Sequence, residues 1–139
     1  MNVLDIPFNK FIGLQLADSD KDYLLKLDHK SEYLNHLGSV HASALFALAE
    51  ASSGEFLLVQ FKAFELNVIP VVRKVEVKYS KPVEGAVYSK ACFVDSNVSE
   101  IVNELRIKKR VTIKVRVDIM SGGTEKVLTS FFEWFVAMS

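Results

Sequence analysis

The stretch from Asn35 to Gly54 constrains this chain most; it reads Asn-His-Leu-Gly-Ser-Val-His-Ala-Ser-Ala-Leu-Phe-Ala-Leu-Ala-Glu-Ala-Ser-Ser-Gly. A polar loop ends at Gly38, Ser39 is placed to cap the backbone donors that follow, and Leu45, Leu48, Ser52, Phe56 and Val59 recur at helical spacing. This predicts the one long helix of the chain. Small residues crowd it at Ala42, Ser43, Ala44, Ala47, Ala49, Ala51, Ser52, Ser53 and Gly54, so another backbone, or a sheet curling round the helix, can approach closely. Glu50 stands amid that surface, where a carboxylate is costly unless it has a partner or a task; periodicity alone puts it on the wet side.

Around this helix the chain reads as strands. Met1 to Lys10 is mixed, with Pro7 expected to break any regular element. Phe11 to Ala17 and Tyr23 to His29 are expected as short strands separated by the turn residues Asp18-Ser19-Asp20. After the helix, Ile69 to Tyr79 alternates Val75, Val77 and Tyr79 against Lys74, Glu76 and Lys78, and Ala86 to Val94 is a further strand. Asn97 is a start signal for a short helix over Ser96 to Leu105, with Glu100 three residues on and Val98, Ile101, Val102 and Leu105 on one face. Val111, Ile113, Val115, Val117 and Ile119 then alternate with Thr112, Lys114, Arg116 and Asp118. The turn Ser121-Gly122-Gly123-Thr124 makes that strand a hairpin with Lys126 to Ala137. The last strand is apolar on both faces from Phe131 onward apart from Glu133, which suits a strand covered twice or one at a subunit interface. Strands segregated from one central helix predict an α+β fold, the helix lying on the concave face of an antiparallel sheet.

At 139 residues the chain is expected to form a single domain spanning 1–139. Lys and Arg number 17 and so do Asp and Glu, so no global field draws it to nucleic acid or an anionic membrane. The single cysteine, Cys92, cannot form an internal disulfide, and its apolar strand setting suggests an inert core thiol. Without a leader or a membrane-length apolar run, the expectation is a cytoplasmic protein.

Asn35-x-x-Gly38-x-x-His41, two small residues, an apolar helix and then Leu48-Ala49-Glu50 resembles the hotdog-fold acyl-CoA thioesterases of the phenylacetate-pathway and 4-hydroxybenzoyl-CoA type. Lys81-Pro82-Val83-Glu84-Gly85 is similar to that family's turn before its next strand, and Ser121 to Lys126 to its final hairpin. The resemblance implies a hotdog fold and a thioester hydrolase that binds coenzyme A as part of its substrate, with no separate cofactor. It implies that Glu50 attacks the thioester carbonyl or activates water, that the Ala42 backbone N–H binds the developing oxyanion, and that Asn35 orients the carbonyl or the water. Gly38, His41, Ser43 and Lys81 fall in the motifs that would line the substrate. Arg110 belongs to a basic run (Arg106, Lys108, Lys109, Arg110) that is a solvated face or a contact for coenzyme A phosphates.

Those roles suit the chemistry. A helix-start N–H points to where negative charge develops, and a poorly solvated carboxylate is a better base. Ala42 and Glu50 are eight residues apart, about 12 Å along a helix, so one copy cannot direct both at one carbonyl. An antiparallel second helix can, which implies a homodimer with two shared sites, with pairing of dimers left open.

Ala42 and Ser43 replace the family's glycine pair, and the segment between Val94 and Val111 is longer than a plain hairpin needs; it could cover or reshape the ligand channel. These departures favour the alternative, a regulatory hotdog protein that binds an acyl ligand without turnover. His41 near the helix start suits a capping or packing role better than that of a base; His29, His36 and His41 lack metal-ligand spacing, no serine sits in a nucleophile elbow, and the signatures of acyl-thioester dehydratases and hydratases are missing.

Overall fold

The computed structural model describes residues 1–18 and 21–139; Ser19 and Asp20 of the expected turn lie outside the described residues. Elements run α1 (Pro7–Ile12), β1 (Gln15–Leu16), β2 (Leu25–Leu27), α2 (Ala42–Lys62), β3 (Val68–Tyr79), β4 (Val87–Phe93), α3 (Val98–Lys108), β5 (Arg110–Ser121) and β6 (Lys126–Met138). The six strands form one antiparallel sheet in the order β1-β2-β4-β5-β6-β3. Helix α2 packs against β2, β3, β4, β5 and β6, the helix-in-sheet arrangement that the hotdog resemblance implies.

Strict alternation builds the floor of the core. Val111, Ile113, Val115, Val117 and Ile119 of β5 are all buried, as are Leu128, Phe132, Trp134 and Val136 of β6. Each such side chain contributes about 1.5–3 kcal/mol when fully buried. The outward residues of β6, Phe131, Glu133 and Phe135, are only half-buried, so among the described residues no layer covers that face.

Helix α2 is buried on more than one side: Leu45, Leu48, Ala49, Ala51, Ser52, Ser53, Gly54, Leu57 and Phe61 are all inaccessible. The small residues let the sheet close on it. The Ser52 and Ser89 hydroxyls lie 2.6 Å apart, Ser52 donates to the Leu48 carbonyl at 2.6 Å, and Ser89 accepts from the Leu25 N–H at 3.0 Å. That chain gives both buried hydroxyls partners where α2, β4 and β2 meet, as burial requires. On the other side Trp134 Nε1 donates to Ser53 Oγ at 3.0 Å. By length and apolarity α2 could cross a bilayer, but the sheet wraps it as a core helix.

The N-terminal reading needs correction. Phe11 and Ile12 belong to α1, and only Gln15–Leu16 is strand. Pro7 starts that helix at its first turn, where the missing N–H would be unpaired anyway. Gly13 ends it at φ 77, and a Cβ there would meet the Tyr33 hydroxyl and Lys30 Nζ at 3.0 Å. Cys92 is exposed rather than in the core, because it falls on the outward phase of β4 opposite Arg116.

Helix α3 fits its expected start, with Asn97 accepting from the Glu100 N–H at 3.0 Å. It packs on β5 near the C-terminal end of α2, where Arg106 lies 5.9 Å over the Phe64 ring. Within one protomer the insertion therefore stands away from the start of α2.

Candidate active site at the start of the long helix

The cap of α2 is His41, not Ser39. His41 has an extended backbone, and its Nδ1 accepts the Ser43 N–H at 2.9 Å. Its carbonyl accepts the N–H groups of Ala44 and Leu45 at 2.9 and 3.1 Å. Of the four donors at the helix start, only the exposed Ala42 N–H has no acceptor among the described residues. A helix N-terminus carries partial positive charge, so this single N–H, on an exposed residue, is left open with the dipole behind it.

The loop before the helix fixes that direction. Asn35 Oδ1 accepts from the N–H groups of Leu37 and Ser39 at 2.9 and 3.1 Å, and Nδ2 donates to Ser39 Oγ at 3.0 Å. Gly38 takes φ 78, the left-handed conformation that glycine adopts without strain. The Val40 N–H bonds to the Val83 carbonyl at 2.8 Å, so the Lys81–Gly85 turn abuts the same helix end. Tyr79 at the end of β3 donates to the Ala42 carbonyl at 3.3 Å.

Asn35, Gly38, His41, Ala42, Ser43 and Lys81 thus gather at one end of the molecule. Lys81 pairs there with Glu125 at 2.9 Å. Within one protomer Arg110 does not join them: it pairs with Ala137, which pairs with Ile69, ten residues from Tyr79 along β3, or about 33 Å at strand rise. Glu50 lies two turns along α2 from Ala42 and is half-buried. It is neither on the fully wet side nor enclosed within one protomer. Ser43, Ala47 and Glu50 follow one stripe of the helix.

An apolar cleft of about 330 Å³ opens beside this stripe, lined by Phe8, Ile12, Leu27, Tyr33 and Leu34 together with Glu32, His41, Ser43, Ala44 and Ala47. The sequence reading missed its α1 wall. The available signal was Phe8 and Ile12, four apart and directly after a helix-starting proline. Among the described residues no group of three or more metal-ligating side chains occurs.

A sheet curled round a small-residue helix, its first amide left open beside an apolar cleft, is the hotdog arrangement. The chain belongs to the family described as "Putative thioesterase (yiiD_Cterm)", which it matches over residues 3–139. The match is to that family, and the likeness to the phenylacetate-pathway and 4-hydroxybenzoyl-CoA type stays at the level of the Asn35-to-Glu50 motif. No curated protein matches the chain. Among solved structures it is similar to a Pseudomonas aeruginosa protein described as a "Probable Thioesterase", with TM-score 0.81, 21% identity and coverage of 99% of this chain and 91% of the other. A Haemophilus influenzae thioesterase gives TM-score 0.74 at 15% identity, covering 98% and 86%. A Bacillus halodurans protein solved with CoA gives TM-score 0.62 at 20% identity, covering 86% and 70%. At these identities the structures speak for the fold.

Proposed function

We propose that this protein hydrolyses acyl-CoA thioesters at two sites shared across a homodimer. The observation that carries the proposal is the unpaired Ala42 N–H at the tip of α2, in a chain of thioesterase family with a half-buried carboxylate two turns along the same helix. The CoA bound to the Bacillus halodurans relative supports coenzyme A as the carrier.

In this reading Glu50 of one protomer takes a proton from water, whose oxygen attacks the thioester carbon. The carbonyl oxygen gains negative charge against the Ala42 N–H of the other protomer, the C–S bond breaks, and the coenzyme A thiolate leaves and is protonated. One donor of this kind is worth about 2.7–4 kcal/mol of barrier in acyl transfer. Asn35 uses one Nδ2 hydrogen to hold its loop and has the other for the carbonyl or the water. Lys81 sits where it can meet the thioester arm.

The dimer has a natural seam. β3 is twelve residues long and pairs only with β6 among the described strands, and long unpaired edges invite pairing. Antiparallel pairing of two β3 strands sets their α2 helices antiparallel, as the 12 Å gap between Ala42 and Glu50 requires.

The second reading, a non-catalytic acyl binder, draws on Asn35: its side chain is engaged mainly in its own loop. Thiol release from short, long and aromatic acyl-CoAs separates the two. Turnover of at least one member by wild type and its loss in Glu50→Gln supports the hydrolase; no release from any member supports the binder.

A further inference from the structure

We propose that α1 is the wall of the acyl-binding cleft and that Phe8 and Ile12 set which acyl groups the protein accepts. The inference rests on the thioesterase reading above and names the substrate class of that same site.

The cleft adjoins the reacting groups. Ser43 and Ala47, which line it, belong to the stripe of α2 that continues to Glu50, and Ser43 directly follows Ala42, whose N–H lacks an acceptor. A carbonyl held between Glu50 and a helix tip thus has an apolar space within reach. Ligand pockets run from about 300 to 1,000 Å³. At about 330 Å³ this one takes an acyl or aryl group and leaves the nucleotide outside.

Helix α1 is anchored as a fixed wall. Buried Asn9 donates to the Val3 carbonyl at 3.0 Å, Tyr33 donates to the Ile12 carbonyl, and Gly13 turns the chain where a side chain would strike Tyr33. Phe8 lines the cleft yet is 61% exposed, so an apolar occupant gains contact by covering it. Phe11 is 86% exposed and lines no part of the cleft.

The rim carries one carboxylate. Glu32 accepts from the Ser31 hydroxyl at 2.9 Å, which, with its own backbone N–H and Lys30, holds its carboxyl below the usual range. Its negative charge opposes an acyl group ending in a free carboxylate. The class indicated is therefore neutral acyl groups of medium length, or aryl groups, on coenzyme A.

The test compares kcat/KM for octanoyl-, acetyl-, butyryl- and succinyl-CoA. Phe8→Ala is expected to lower the octanoyl-to-acetyl ratio about tenfold, the scale of a few lost apolar contacts in a pocket, with partial recovery in Phe8→Leu. Phe11→Ala is expected to leave the ratio unchanged, and Glu32→Gln to raise succinyl relative to butyryl. An unchanged octanoyl-to-acetyl ratio in Phe8→Ala overturns the proposal while leaving hydrolysis standing. Absence of turnover from every substrate defeats the hydrolase reading by itself. The cleft is then judged by calorimetric binding of octanoyl- and acetyl-CoA: selective weakening of octanoyl-CoA by Phe8→Ala sustains it, and equal effects overturn it.

Discussion

His41 Nδ1 accepts the Ser43 N–H at 2.9 Å, and this bond leaves Ala42 as the sole helix-start donor without an acceptor among the described residues. The histidine is therefore a cap whose position selects which amide is left open. His41→Ala is expected to cost about 1 kcal/mol of stability, the usual worth of a helix cap, and His41→Asn to recover most of it. Urea unfolding midpoints check the stability. Thioesterase activity is expected to follow the cap rather than the imidazole, so Asn should rescue both.

Gly54 lies buried inside α2, where a Cβ would meet the Trp134 ring at 3.7 Å, an ordinary contact. Glycine in a helix interior costs about 0.5–1 kcal/mol relative to alanine. Gly54→Ala is expected to raise the unfolding free energy by about that amount; a fall in Tm would show that the sheet sits tighter on α2 than described.

Glu55 is half-buried in a cleft shared with Leu58, Val59, Lys62 and Glu65, and burial pushes its carboxyl above the usual range. The folded-state pKa exceeds the unfolded one, so the ionised side chain opposes folding at neutral pH, and that opposition fades as pH falls through the two values. Glu55→Gln is expected to raise Tm at pH 7, with the gain shrinking toward acid pH. Melting curves of both proteins from pH 3 to 8 would show it; a gain independent of pH would point to a different cause.

A homodimer paired through β3, as proposed, has a predicted register. Phe46 packs on Phe132, which pairs with Val75, and Ser53 bonds Trp134, which pairs with Val72; Glu50 lies between those levels, and Ala42 near Tyr79. Setting Glu50 against the other protomer's Ala42 puts the two-fold axis near Val75 or Val77. Centring on Glu76 would oppose Lys74 to Lys78, a like-charge pair that is disfavoured. In a Cys92→Ser background, single cysteines from 74 to 78 are expected to cross-link best at 75 or 77 on oxidation. No cross-link at any position, with a monomer by light scattering, would remove the seam.

How far the sequence revealed this depended on whether neighbouring phases differed in polarity. β5 was readable because Val and Ile alternate with Thr, Lys, Arg and Asp, and α3 because Asn97 and Glu100 mark its start. The small-residue run announced a helix closely wrapped by other backbone, and the Asn35-to-Glu50 motif announced the family. Phe11 and Ile12 misled because two adjacent apolar residues fit a strand as well as a helix. Pro7 misled because a proline that breaks a helix interior also opens one. Cys92 was misplaced because a thiol carries no charge to mark its phase, although Lys90, two residues before it on the same outward phase, was the available signal. The capping role expected of Ser39 falls to His41, for which capping or packing was also legible, because Asn35 holds Ser39 in the loop, a contact between side chains four residues apart. Arg110 was separated from Ala42 by strand direction, which charge clustering along the chain does not encode.

The shared site is tested most directly by mixing two inactive variants. Glu50→Gln removes the carboxylate. Ala42→Pro removes the N–H at the first helical position, where proline is tolerated, and His41 already has the extended backbone (φ −61, ψ 139) that a following proline demands. Each homodimer is expected to be inactive; co-refolded in equal amounts, half of the dimers pair one of each and carry one intact site. Activity should return to about one quarter of wild type. A mixture as inactive as its parents, with heterodimers shown to form, would contradict a site built from two protomers.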